Sequence, residues 1–126
     1  MELIYAYSRK QAIKDGVLVD VTDTAKEAGF GYPVSVTAEV WARYVKVPPG
    51  VSGQDEIGRL WDILWMLRYS IRTANSEHDS INNLHFKLHV RQSNGEGEPP
   101  LVTLKAVCGP GDDAEPVITI MLPHED

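Results

Sequence analysis

Residues 54–74 read Gln54-Asp55-Glu56-Ile57-Gly58-Arg59-Leu60-Trp61-Asp62-Ile63-Leu64-Trp65-Met66-Leu67-Arg68-Tyr69-Ser70-Ile71-Arg72-Thr73-Ala74. At 1.5 Å per residue this is a helix of roughly 30 Å. Ser52 can cap it, with Asp55 as the third-position acid. Asp55 and Glu56 suit the positive end of the helix dipole, and Arg68 and Arg72 lie near the negative end. Steps of 100° put Ile57, Leu60, Trp61, Leu64, Leu67 and Ile71 on one face, with Trp65 flanking it. Arg59, Asp62, Met66 and Ser70 fall on the opposite side. A central helix with one broad buried face is expected. Arg68 falls within the apolar arc. A guanidinium keeps its charge, so it must either meet a carboxylate or carbonyls, or snorkel to water. Asp15, Asp20, Asp112 and Asp113 are the acids open to it.

Three strands follow the helix, after a polar loop over Asn75 to Asn83. Leu84, Phe86, Leu88 and Val90 alternate with His85, Lys87, His89 and Arg91. Asn94-Gly95-Glu96-Gly97 makes a hairpin connection to a strand over Leu101–Cys108. Gly109-Pro110-Gly111-Asp112-Asp113 is the next turn, and Val117–Leu122 the third strand. Short connections make these an antiparallel meander. The helix must bury its stripe on one face of that sheet. The fold class expected is α+β: a two-layer domain over 1–126, with a C-terminal three-stranded antiparallel meander packed on one long central helix.

The N-terminal half adds short helices and a strand. Ser8 with Gln11 forms a capping box, and Gly16 closes the short helix it starts. Val17–Val21 reads as a strand, and Val34 with Val36 continues that pattern. Between them, Thr22 or Thr24 caps a turn that ends at Gly29. Thr37 caps a helix from Ala38 to about Val45, before a Pro/Gly-rich connection to Gly53.

Composition bounds the function. The chain has 126 residues, 43% hydrophobic and 24% charged, which is globular rather than disordered. One cysteine excludes an internal disulfide framework and any Cys-rich zinc site. No apolar run is long enough to span a membrane, and Met1–Tyr7 lacks the form of a signal peptide, so a cytoplasmic protein is expected. Net charge is −6, and the excess is local. Residues 94–126 hold seven acids and one base, while residues 1–93 balance at eleven of each. Direct nucleic-acid binding is disfavoured by that balance.

The chemistry-bearing residues are few. His85 and His89 are four apart, but on a strand that spacing spans roughly 13 Å, too far for one metal ion. Their stripe with Lys87 and Arg91 reads as an exposed face that could meet an anionic partner. Cys108 shares a strand face with Val102, Leu104 and Ala106 and has no His near it in sequence, so it reads as core. Asp112 and Asp113 sit on a turn, and two carboxylates are too few for a hard cation. Tyr5, Tyr7 and Arg9, with Asp15 and Asp20, form a polar aromatic segment of the kind favoured at binding hot spots. No catalytic residue, metal site or cofactor loop is expected.

Three blocks carry a family resemblance. They are Tyr7 to Val21, Gly53-Gln54-Asp55 with Gly58 to Arg68, and Val102 to Asp113 with Glu115 to Pro123. The chain resembles an uncharacterised family of small bacterial proteins, a domain of unknown function also found on mobile elements. The resemblance implies no catalytic residue. It does imply an accessory or anti-defence role where the gene sits on a mobile element.

The function expected is a non-enzymatic protein-interaction module that contacts a protein partner through the acidic quarter or the basic stripe. Three tryptophans and the opposed charge regions also point to a homodimer. The alternative is a small enzyme or ligand-binding domain with its site between the N-terminal segment and the meander. Candidate binding residues are Arg68, Tyr7, Arg9, His85, His89, Asp112 and Asp113.

Overall fold

The computed structural model describes residues 7–73, 82–95 and 97–125. Tyr5, the expected loop from Asn75 and the helix end at Ala74 lie outside the described residues. Helix α1, Arg9–Lys14, starts where Ser8 Oγ accepts the Gln11 N–H at 2.9 Å. Gly16 closes it at φ +80°, a conformation that a side chain would strain. Strand β1, Leu18–Asp20, and helix α2, Thr22–Glu27, follow, then strand β2, Val34–Thr37. Thr37 Oγ1 caps helix α3, Ala38–Val40, by accepting the Val40 N–H at 3.2 Å. The chain expected to stay α-helical to Val45 instead widens into a π-helical turn over Trp41–Val45. Lys46 N–H reaches back five residues to the Trp41 carbonyl at 2.8 Å.

Helix α4 spans Glu56–Thr73. Its cap is Asp55, whose Oδ1 accepts the Gly58 N–H at 2.6 Å, and not Ser52 as expected. The Ser52 N–H donates to Asn94 Oδ1 at 2.9 Å, so Ser52 ties the connection before α4 to the loop after the next strand. Strands β3, Asn83–His89, β4, Leu101–Pro110, and β5, Pro116–Met121, complete the element order.

The C-terminal strands form the expected antiparallel meander, with Phe86 opposite Leu104 and Ala106 opposite Ile120. The sheet is larger than the meander. Its order is β1-β2-β5-β4-β3. Strand β2 runs parallel to β5, with Val34 beside Ile118 and Val36 beside Ile120. Strand β1 pairs antiparallel with β2. The short N-terminal strands thus extend the C-terminal sheet, and β5 is central. Val34, Ser35 and Val36 are fully buried, as a strand covered on both faces must be.

Leu60, Leu64, Phe86 and Leu88 share one core, with Ile63, Leu67, Leu104 and Ile120. The α4-on-sheet packing is the expected α+β arrangement, but the helix is turned. Ile57 and Ile71, expected inside, are 58% and 49% exposed. Ile63 and Arg59 are buried instead. At 100° per residue the buried arc is rotated by roughly 60° from the expected one. On the other side of the sheet, α1 lies against Ser35 and Thr119 through Arg9.

This rotation sets the energetics. Leu64→Ala should destabilise by about 2–5 kcal/mol, as for other buried leucines. Ile57→Ala should change stability by less than about 0.5 kcal/mol. Urea denaturation of the two variants checks this: equal losses would mean that Ile57 is inside after all.

Candidate functional site

Tyr7, Arg9 and Asp112, distant in sequence, meet at one place. An open groove of about 1080 Å³ runs between α1, the outer sheet face and the β4–β5 turn. Tyr7, Arg9, Val17, Val107, Asp112 and Met121 are among its walls. The Arg9 guanidinium donates to Thr119 Oγ1 at 3.0 Å, Ser35 Oγ at 2.7 Å and the Ile118 carbonyl at 3.1 Å. Burial pulls the Arg9 pKa down, and Asp20, Asp112 and Glu115 oppose that pull. Asp112 accepts the backbone N–H groups of Arg9 and Lys10 at 2.8 and 3.0 Å. These are the first two donors of α1, which have no partner inside the helix.

The remaining groups of the groove are bonded inward too. The Tyr7 hydroxyl donates to Asp15 Oδ2 at 2.5 Å, and that bond pushes the Tyr7 pKa up. Glu125 Oε1 accepts from Thr37 Oγ1 and the Leu122 N–H, both at 2.8 Å. Glu39 pairs with Arg43 at 3.1 Å. Arg9, Glu39, Asp112 and Glu125 are therefore all committed to bonds within the fold. Asp113 does not join them. It lies in the tight turn where Gly111 N–H bonds the Glu115 carbonyl, and its own N–H donates to Glu115 Oε1 at 3.0 Å.

His85, Lys87 and His89 are exposed on β3, as the alternation predicts. The far end of the stripe is occupied locally. His89 Nε2 meets Glu98 at 3.0 Å, and its Nδ1 lies 2.8 Å from the Pro99 carbonyl. Arg91 donates to the Gly95 and Gly97 carbonyls at 2.8 and 3.1 Å. A charged stripe on a terminal strand blunts edge-to-edge pairing with other sheets. Among the described residues no group of three or more His, Cys, Asp or Glu side chains could hold a metal ion. Cys108 is half-buried.

The arginine that needs carbonyls is Arg59, not Arg68. Arg59 is 4% exposed. It donates to the carbonyls of Tyr44 at 3.0 Å and Arg91 at 2.5 Å, and to Gln92 Oε1 at 2.9 Å. Burial pulls the Arg59 pKa down, and Asp62 opposes it. Burial pushes the Asp62 carboxyl up, against the pull of Arg59. Arg68 makes no carboxylate pair among the described residues, because the rotation of α4 carries it to the rim of the buried arc. Its guanidinium carbon lies 5.8 Å from the centroid of Trp65. It also lies against Gly29, where a Cβ would stand 2.9 Å from that carbon. Gly29 has φ +99°, so the turn after α2 requires glycine, while a side chain there would displace the flexible end of Arg68.

The same rotation turns an aromatic face outward. Trp65 is 53% and Tyr69 58% exposed. With Arg68 and Arg72 they line a shallow cleft on α4. Sequence reasoning placed Trp65 at the flank of the core, gave Arg72 only a place near the negative end of the helix dipole, and passed over Tyr69. Their spacing was the available signal, since Trp65, Tyr69 and Arg68, Arg72 form two i, i+4 rows on one helix.

A family model matches residues 1–126, described as a family of unknown function (DUF6573). The chain belongs to that family. No curated protein matches the chain, and neither does any solved structure. The DUF6573 match covers the groove, the α4 face and the Arg59 knot alike. No helix among the described residues is long and apolar enough to cross a membrane.

Two predictions come from these bonds. Hydrogen bonds from Lys10 and Arg9 hold the Asp112 carboxyl below its usual range. Its contribution is therefore present above the unfolded carboxylate pKa and lost as pH falls through the lower folded value. Asp112→Asn should lower the urea midpoint at pH 7, and its gap from the parent should close as the pH falls below the carboxylate range. Arg59→Ala strands two buried carbonyls and should cost about 3–5 kcal/mol in the same assay, by analogy with a broken buried pair. Arg68→Ala, at the rim, should cost under about 1 kcal/mol.

Proposed function

We propose that this chain is a non-enzymatic protein-interaction module of the cytoplasm, and that it docks through the outer face of α4. The observation that carries the reading is the exposure of Trp65 and Tyr69 beside two arginines. Large aromatic side chains and arginine dominate binding energy at protein interfaces. Ile57, 58% exposed, extends the same row by two turns. An accessory or anti-defence role on a mobile element is the setting proposed for such a module. Against an enzyme stands the groove wall, where each charged group is spent on a bond within the fold.

A second reading, a ligand-binding domain, draws on the size of that groove. Its volume is of the order that ligand sites occupy. The two readings separate by mutation. The double variant Trp65→Ala/Tyr69→Ala should keep its melting temperature, because both side chains are more than half exposed. Affinity capture from host lysate, read by mass spectrometry, should lose the protein that the parent chain retains. Unchanged capture by the double variant would remove the α4 face from consideration. A small molecule from the lysate that copurifies with the parent chain and is lost from a folded groove variant, Val107→Glu, would favour the second reading.

A further inference from the structure

Two guanidiniums on α4 are uncommitted among the described residues. Among the described residues neither Arg68 nor Arg72 has a hydrogen bond or a carboxylate partner; Arg68 lies near the Trp65 ring and against Gly29. The two stand one helical turn apart, so their forks line one flank of the exposed face. The Trp65 ring lies 5.8 Å from the Arg68 guanidinium carbon, within cation–π range, which favours that placement of the cation.

Resting on the interaction-module reading, we propose that the partner presents a carboxylate-rich amphipathic segment. Its Asp or Glu side chains bond Arg68 and Arg72, and its apolar side chains cover Trp65 and Tyr69. Charge placement across the helix sets the orientation. At 100° steps, Arg68, Arg72 and Trp61 lie on one side of Trp65, and Tyr69 and Asp62 on the other. Carboxylates are attracted to the first flank and repelled by Asp62 from the second.

The same geometry argues against a second copy that packs α4 antiparallel on itself. A two-fold axis that pairs α4 antiparallel with itself keeps each flank on its own side. It would set four guanidiniums of Arg68 and Arg72 together, with Asp62 on the far flank. Nucleic acid is also a poor fit, because two cations fall short of the several phosphate contacts that hold a duplex, and the chain carries −6 overall.

The test uses the full chain and two designed helical peptides of 16 residues or so, a length that spans the exposed face of α4. Both carry the same leucine stripe, and one has Glu and the other Lys at the flanking positions. Tryptophan fluorescence reads the titration. The Glu peptide should bind at least about tenfold tighter than the Lys peptide. Arg68→Gln/Arg72→Gln should erase that preference, and so should raising the salt, with an unchanged melting curve showing that the variant is folded.

Equal binding of the two peptides would overturn the carboxylate proposal and leave the interaction-module reading standing. So would binding of neither peptide, if Trp65→Ala/Tyr69→Ala still loses its captured protein. A duplex oligonucleotide that outcompetes the Glu peptide would also overturn it. A concentration-dependent dimer in light scattering that Trp65→Ala dissolves would assign the face to a second copy and overturn it too. Unchanged capture by Trp65→Ala/Tyr69→Ala, with no peptide bound, would overturn both.

Discussion

The guanidinium of Arg59 ties together three segments that the chain order keeps apart. Its donors reach the Tyr44 carbonyl in the π-helical turn, the Arg91 carbonyl after β3, and the Gln92 side chain. A buried cation with no bonded carboxylate is tolerated only if its donors meet carbonyl oxygens, so its position is tightly specified. With Arg59 directed inward, Ile63 follows it inward and Ile57 is carried out. The exposed row of Trp65 and Tyr69 is thus set by a polar contact on a neighbouring face of the same helix.

The sheet imposes a second constraint. Strand β5 is central only because β2 joins it in parallel, and that pairing brings Ser35 next to Thr119. Arg9 binds both hydroxyls and so fastens α1 to the side of the sheet away from α4. Asp112, from the β4–β5 turn, caps the same helix. The polar segment at Tyr7 and Arg9 and the paired acids of the turn looked like separate features of the sequence. In the fold, Arg9 and Asp112 belong to one joint, and its hydrogen bonds explain why the groove beside it offers so little free chemistry.

The two surfaces therefore differ in kind. The groove is broad, but its charged groups are occupied. The α4 face is shallow, but among the described residues no hydrogen bond or ion pair occupies the heads of Arg68 and Arg72, and Trp65 and Tyr69 are more than half exposed. A module that holds another protein needs the second kind of surface more than the first, since interface energy concentrates in a few aromatic and arginine side chains.

Local pattern was enough for much of this molecule. The alternation in Leu84–Val90 and the Ser8 and Thr37 caps are short-range properties, and each appears where the residues imply. The α+β class and the packing of one long helix on a C-terminal meander were legible for the same reason. The parallel β2–β5 pairing was not, because it joins residues more than 80 positions apart and β2 is only four residues long. The rotation of α4 was not legible either. A wheel on which Leu, Ile and Trp spread over more than half the circle admits several buried arcs. Hydrophobic pattern alone could not choose among them, because the choice rested on the carbonyl oxygens of Tyr44 and Arg91, which only the tertiary structure brings to Arg59.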